Sequence, residues 1–149
     1  GIRDSSVTGV QTCALPISET LPKEIGLYED PYSDFGRLSG ELWRACRLVV
    51  DTGIHHYRWT REEGIDYYMS NTANPEGDCV GMVERHIVWP GQAVSYKIGM
   101  LKIQELRAYA ELSLGTKFSL QSFHDVVLKN GGVSMDILQD IVYQWVENQ

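Results

Sequence analysis

The chain reads as an all-α protein of about six helices. Three observations lead there: from Ser18 onward apolar residues recur at spacings of three and four, strand-like alternation is scarce, and capping signals punctuate the sequence. The first helix opens at Asp30-Pro31, with Asp30 as N-cap and proline at the first helical position, where its missing N–H costs nothing. Phe35, Leu38, Leu42, Ala45 and Val49 then form one stripe, and Gly53 fits the position just past the helix end. Thr60-Arg61-Glu62-Glu63 is a capping box, in which hydroxyl and carboxylate satisfy each other's orphan amides, and a short helix follows to about Asn71. Asn74-Pro75 starts another helical segment, weakened by Gly77 and Gly81. It ends before Pro90, which disfavours helical backbone in its predecessor. Beyond Pro90-Gly91 a long helix runs to Leu114 and stops at Gly115. Its first half carries Ile98, Met100, Leu101 and Ile103 around most of its circumference, which predicts a central, buried helix. Ser119 and Ser134 are the N-caps of two last helices, separated by Asn130-Gly131-Gly132, and the final stripe is Leu138, Ile141, Val142 and Trp145.

With 149 residues, 43% apolar and 22% charged, the chain has length and composition for one globular core. Its formal net charge is -7 and no basic block interrupts the acidity, so a phosphate backbone or an anionic membrane surface is repelled. Neither nucleic acid nor membrane is an expected partner. No apolar run approaches the ~20 residues that span a bilayer. Cys13, Cys46 and Cys79 are odd in number and widely spaced, which suits neither a disulfide framework nor a zinc knuckle.

The N-terminus resembles a targeting peptide only superficially, because Val7 to Ile17 is uncharged yet lacks a basic flank and a proper apolar centre. Back-translation gives a better account. Gly1-Ile2-Arg3-Asp4 matches the tail of a short-read sequencing primer, Ser5-Ser6 matches a barcode, and Val7 to Ile17 matches the adapter that follows. Residues 1–17 are therefore expected to be translated synthetic DNA, leaving 18–149 as a partial helical domain.

Among residues able to carry chemistry, the histidines come first. None of His55, His56, His86 and His124 begins an H-E-x-x-H pair, the spacing that lets two imidazoles on one helical face share zinc. No metal ligand is assigned, and His86 and His124 read as surface or core histidines. His55 follows a helix C-terminus close to Asp51, which either orients its ring or leaves it capping free carbonyls. On the helix after Pro90, Tyr96, Met100, Ile103, Arg107, Ala110 and Leu114 share a stripe, so a phenol and a guanidinium lie on an otherwise apolar face. A buried Arg107 needs an anion, either a substrate carboxylate or Asp51, Glu84 or Glu111. Tyr96 is either a core tyrosine with a satisfied hydroxyl or a donor to a tetrahedral intermediate. Arg37/Glu41 and Arg47/Asp51 read as helix-surface pairs at i, i+4, and Cys46 as a small buried hydrophobe.

Several elements resemble a known family in order and spacing: Gly26-Leu27-Tyr28, Asp51-Thr52-Gly53-Ile54-His55, Trp59-Thr60-Arg61-Glu62, Pro90-Gly91-Gln92-Ala93, Tyr96-Lys97-Ile98-Gly99 and Phe123-His124-Asp125. They are similar to the C-terminal part of the bacterial family known as domain of unknown function 885, whose complete members look like helical, zincin-type zinc metallopeptidases. In that pattern an H-E-x-x-P-G-H-H element and an E-G-W-A-L-Y glutamate hold zinc, and both lie upstream of Glu19. The resemblance implies that D-T-G-I-H and P-G-Q-A-x-x-Y-K-I-G wall the cleft. His55 and Tyr96 are then candidate oxyanion stabilisers and Arg107 a candidate substrate-binding residue. His86 departs from the pattern, which usually has tyrosine there.

The expectation is thus the C-terminal part of a zinc-dependent peptidase-like hydrolase, inactive by itself, whose intact parent takes zinc as cofactor and a peptide as substrate. No cofactor is expected on the fragment, whose natural partner is the missing N-terminal half and whose exposed faces favour self-association. The alternative is a helical peptide-binding or scaffolding module without catalysis. Substrate preference and cellular compartment leave no trace in the sequence.

Overall fold

A computed structural model of the chain describes Lys23, Gly26 and residues 28–149; the adapter-like residues 1–17 lie outside them. Among the described residues the protein is all-α, with six helices, one 3-10 turn and no strand. The helices are α1 (Pro31–His55), α2 (Arg61–Asn71), α3 (Glu76–Val88), α4 (Val94–Leu114), α5 (Leu120–Lys129) and α6 (Met135–Glu147), with the 3-10 turn Gly115–Lys117 between α4 and α5. The helices fall into two compact units, one within Ser18–Lys97 and the other within Ile98–Gln149.

Local chemistry sets the helix boundaries. The Asp30 carboxylate accepts from the Tyr32 and Ser33 amides at 3.0 Å, occupying donors that the first turn of α1 would otherwise leave open. At α2 the capping box forms as the sequence predicts, with the Glu63 amide donating to Thr60 Oγ1 (3.2 Å) and the Thr60 amide donating to Glu63 Oε2 (2.7 Å). Ser119 and Ser134 accept from Ser122 and Ile137 at the starts of α5 and α6.

Each unit encloses its own core. In the first, α1, α2 and α3 pack pairwise around Cys46, Val50, Ile65, Tyr68, Cys79 and Val83, with Trp43 and Trp59 against the rim. In the second, Ile103, Leu106 and Ala110 of α4 meet Phe123, Val127, Leu138 and Val142 of α5 and α6. Burial pushes the Cys46 and Cys79 thiols up, so both act as small apolar side chains.

Three sequence expectations are corrected. The stripe expected to face the core from α1 faces outward, with Phe35, Leu38, Leu42 and Val49 66, 49, 47 and 39% exposed. The buried face is instead the one carrying Cys46, Val50, Asp51 and Gly53. Small residues and a carboxylate dilute its apolar signal, so the outer leucines dominate the pattern. Likewise α4 is not buried all round: Met100 and Ile103 are inside, whereas Ile98 and Leu101 are about half exposed. Finally, Gly53 lies within α1 rather than after it. It is glycine because of packing: a Cβ there would sit 2.4 Å from Trp59 Cε3, in the plane of the indole that covers the helix end. Its carbonyl also accepts the Tyr57 and Trp59 amides at 3.1 and 3.0 Å, folding the chain back across the helix terminus.

The glycines therefore separate by environment. Gly53→Ala should destabilise the protein by about 1–3 kcal/mol through overpacking against Trp59. Gly81→Ala, on α3 where a Cβ meets nothing within 4 Å, should stabilise by about 0.5–1 kcal/mol. Urea titration of the two variants checks this; equal midpoints would contradict the packing role of Gly53.

Candidate functional site

The polar centre of the first unit begins at Asp51. Only 4% exposed, it projects from the inner face of α1, where a carboxylate survives only with donors around it. The donor is the Gly91 amide, 3.1 Å from Oδ1 and 3.3 Å from Oδ2. Gly91 has φ of +78°, a left-handed conformation that turns its N–H inward at little steric cost. Burial raises the Asp51 carboxyl pKa, and the Gly91 bond and the nearby His55 oppose that rise.

His86 on α3 completes the buried layer. Fully inaccessible, its Nε2 lies 2.7 Å from the Tyr68 hydroxyl, and its Nδ1 faces Asp51 Oδ2 at 3.8 Å without a hydrogen bond. Burial pushes the Tyr68 phenol far up, so it remains an O–H group hydrogen-bonded to His86 Nε2. The backbone oxygen of His86 accepts from His55 Nε2 at 2.9 Å, which fixes the tautomer of His55 and leaves its Nδ1 on the other edge. His55 therefore does not bond Asp51, although it lies near enough to influence it.

Tyr96 sits in the first turns of α4. Its orientation follows from a relay in which every donor is defined. Arg85, which can only donate, gives Nη2–H to Gln92 Oε1 at 3.2 Å. That sets the amide, so Gln92 Nε2 donates to the Tyr96 hydroxyl at 3.3 Å. The hydroxyl accepts, and its own proton remains available. Above the phenol ring lies Arg47, its guanidinium carbon 5.3 Å from the ring centroid. Arg47 is not the surface partner of Asp51 that their spacing suggests. Its Nε is sealed from solvent and has no hydrogen-bond partner, and burial lowers its pKa.

The two candidate oxyanion stabilisers of the sequence lie here, His55 bonded to the His86 backbone and Tyr96 to Gln92, and sequence reasoning missed Arg47, Gln92 and Arg85. Arg47 and Asp51 immediately follow Cys46 and Val50 on the helix, and that adjacency to buried positions is the signal that could have found them. Arg107 stands elsewhere, within the second unit, and its Nε donates to Glu111 Oε1 at 2.8 Å. Among the partners left open for it, the protein's own Glu111 is the one observed. Arg37 likewise pairs with Glu41 (3.4 Å) and Asp34 (2.8 Å), and Lys97 reaches Glu41 at 2.8 Å.

Two surface grooves lie away from this cluster. One of about 390 Å³ runs along Trp59, Glu63, Asp66 and Tyr67, and one of about 420 Å³ lies beside Phe35, Leu38 and Leu42. Among the described residues no group of three or more His, Cys, Asp or Glu side chains converges as metal ligands. Asp51 and His86 approach one another, yet Asp51 is committed to Gly91, His86 to Tyr68, and no third ligand joins them. These residues do not fit a zinc site.

A family described as bacterial protein of unknown function (DUF885) matches residues 17–142. The chain belongs to that family. It is also similar to a solved structure, "the putative lipoprotein from Colwellia psychrerythraea", with 49% identity over 95% of this chain and a TM-score of 0.93. The chain spans 24% of that protein's length. No curated protein matches it.

The buried histidine gives the site a pH signature. Burial, and then Arg47, Arg85 and His55, hold His86 down to about 4 from its ordinary 6.5. The unfolded chain takes up this proton near pH 6.5 and the folded protein near 4, so stability is full above that window and declines as pH falls through it. Asp51 acts in the opposite sense, because its raised folded pKa adds stability on acidification. Between pH 6.5 and 5 the net loss should be about 1–2 kcal/mol. His86→Gln should flatten this slope in urea titrations; an unchanged slope would show that another group carries it.

Proposed function

We propose that this chain forms part of the substrate-cleft wall of a larger zinc-dependent, peptidase-like hydrolase, and that it contributes hydrogen-bond donors rather than the metal site. One observation carries the reading: the Tyr96 hydroxyl is held by Gln92 in the accepting sense, which leaves its proton without an acceptor among the described residues. A positioned phenol of this kind can donate to an oxygen that gains negative charge during acyl transfer, and preorganisation by neighbouring residues is what makes such a donor effective. His55 is anchored through Nε2, so it can serve the same oxygen only from Nδ1 as an imidazolium. The family resemblance at D-T-G-I-H and P-G-Q-A supports the same pair. Arg107, engaged with Glu111 in the second unit, is the weakest member of the substrate-binding set.

The alternative, a helical peptide-binding or scaffolding module, draws support from a different feature, the exposed Phe35-Leu38-Leu42 stripe and its adjoining groove. One experiment on the full-length protein containing this chain separates the two. Metal analysis should give stoichiometric zinc and a peptide pool should be cleaved. Tyr96→Phe, which keeps the ring beneath Arg47 and removes only the hydroxyl, should lower kcat about 100-fold with little change in KM. Binding of peptides without zinc or cleavage would establish the module instead. The isolated 149-residue chain should self-associate through its exposed stripe, so a strictly monomeric sedimentation profile would count against that surface as a contact face.

A further inference from the structure

We infer that Arg47 and Tyr96 together form a receptor for a carboxylate, and that the ligand seated there is a peptide with a free carboxylate. Its identification as a substrate rests on the hydrolase reading; the receptor itself does not.

A guanidinium taken out of water needs an anion or a set of acceptors, and a desolvated one that lacks both is costly. Arg47 has neither among the described residues. Its Nε is buried and unpartnered, and its remaining contact is the face of the Tyr96 ring. The carboxylates that might have served it are committed: Asp51 to the Gly91 amide, Glu41 to Lys97 and Arg37, and Glu84 to Arg61. Nearby Arg85 also lacks a carboxylate partner among the described residues, since it donates to Gln92 and lies over Trp89. Arg85 bears electrostatically on Arg47, which adds a second cation beside it in a protein whose net charge is -7.

The geometry also selects the kind of anion. The two terminal nitrogens of Arg47 make no hydrogen bond among the described residues and are not sealed as Nε is, so the guanidinium keeps the fork of two donors that defines its chemistry. The Tyr96 ring stacks against the guanidinium and steadies its plane, while the hydroxyl remains for the reacting oxygen. A planar fork matches the two oxygens of a carboxylate, which a guanidinium binds in bidentate fashion. A phosphate dianion calls for more donors and would meet the buried Asp51 carboxylate within the same cluster.

The test begins with the 149-residue chain and nitrogen-15 NMR of the arginine side chains. The probes are an N-acetylated dipeptide with a free C-terminus, the same dipeptide as its C-terminal amide, and inorganic phosphate. The free acid should shift the Arg47 Nε–H resonance saturably, while the amide leaves it in place. Arg47→Lys should weaken binding at least tenfold, since an ammonium has no fork, and Tyr96→Leu, which removes the stacked ring, should weaken it severalfold. Arg61→Gln should bind as the wild type does. The acid-against-amide comparison needs no variant, so misfolding of an Arg47 variant leaves the proposal open to refutation. Equal response to acid and amide, no response to either, or tighter binding of phosphate would overturn it. In the full-length protein, Arg47→Gln should reduce the preference in kcat/KM for free-acid over amidated peptides at least tenfold. If no peptide is cleaved while acid and amide are still discriminated, the hydrolase reading fails and the carboxylate receptor stands.

Discussion

The contact between the buried Asp51 carboxylate and the Gly91 amide is the constraint on which the polar half of this protein depends. A carboxylate on the inner face of α1 is unfavourable unless a donor meets it, and here the donor comes from the turn between α3 and α4. The bond therefore fixes that turn against α1. With the turn fixed, α4 starts at a defined place, and Tyr96 arrives beneath Arg47, which lies one helical turn before Asp51. His86 enters from α3, satisfies Tyr68 and presents its backbone oxygen to His55. Five elements of the cluster are thus arranged around one hydrogen bond.

What results is a site rich in donors. Arg85 forces Gln92 to accept on one side and to donate on the other, and Gln92 in turn makes the Tyr96 hydroxyl an acceptor. Each step removes one alternative orientation, so the accepting role of the Tyr96 hydroxyl traces back through Gln92 to the Arg85 guanidinium. Such ordering of polar groups ahead of binding is what makes a donor or acceptor effective, even at the part-buried position of Tyr96. Tyr96 also differs from Tyr68, although both are phenols in one cluster. Tyr68 is bonded to His86 inside the core, whereas Tyr96 accepts from Gln92 at a part-buried position.

Much of the fold was legible in the sequence because its boundaries are written in local chemistry. Asp30-Pro31, the Thr60/Glu63 box, Ser119 and Ser134 each act on amides within three residues, so no tertiary knowledge is needed to place them. The inward face of α1 was not legible. It is made of Cys46, Val50, Asp51 and Gly53, among which only one residue is strongly apolar, while the outer face carries phenylalanine and leucine. Gly53 was misread as a terminator for a related reason: its neighbour in space, Trp59, lies beyond the helix and acts through shape rather than hydrogen bonding. At the site, His55 and Tyr96 stood out through motif resemblance. Arg47 did not, because an i, i+4 acidic neighbour suggests an ion pair and only the structure shows that neighbour bonded to Gly91.

The Asp51 to Gly91 bond also bears on how the chain reaches this arrangement. The contacts among α1, α2 and α3 join helices that follow one another directly, so the loops closed in forming them are short and their entropic cost is small. The bond itself closes a loop of 40 residues and gains strength only when its surroundings are already dry. The bond therefore draws its strength from the three-helix core, because the apolar side chains around it supply the dry surroundings in which a carboxylate and an amide attract most.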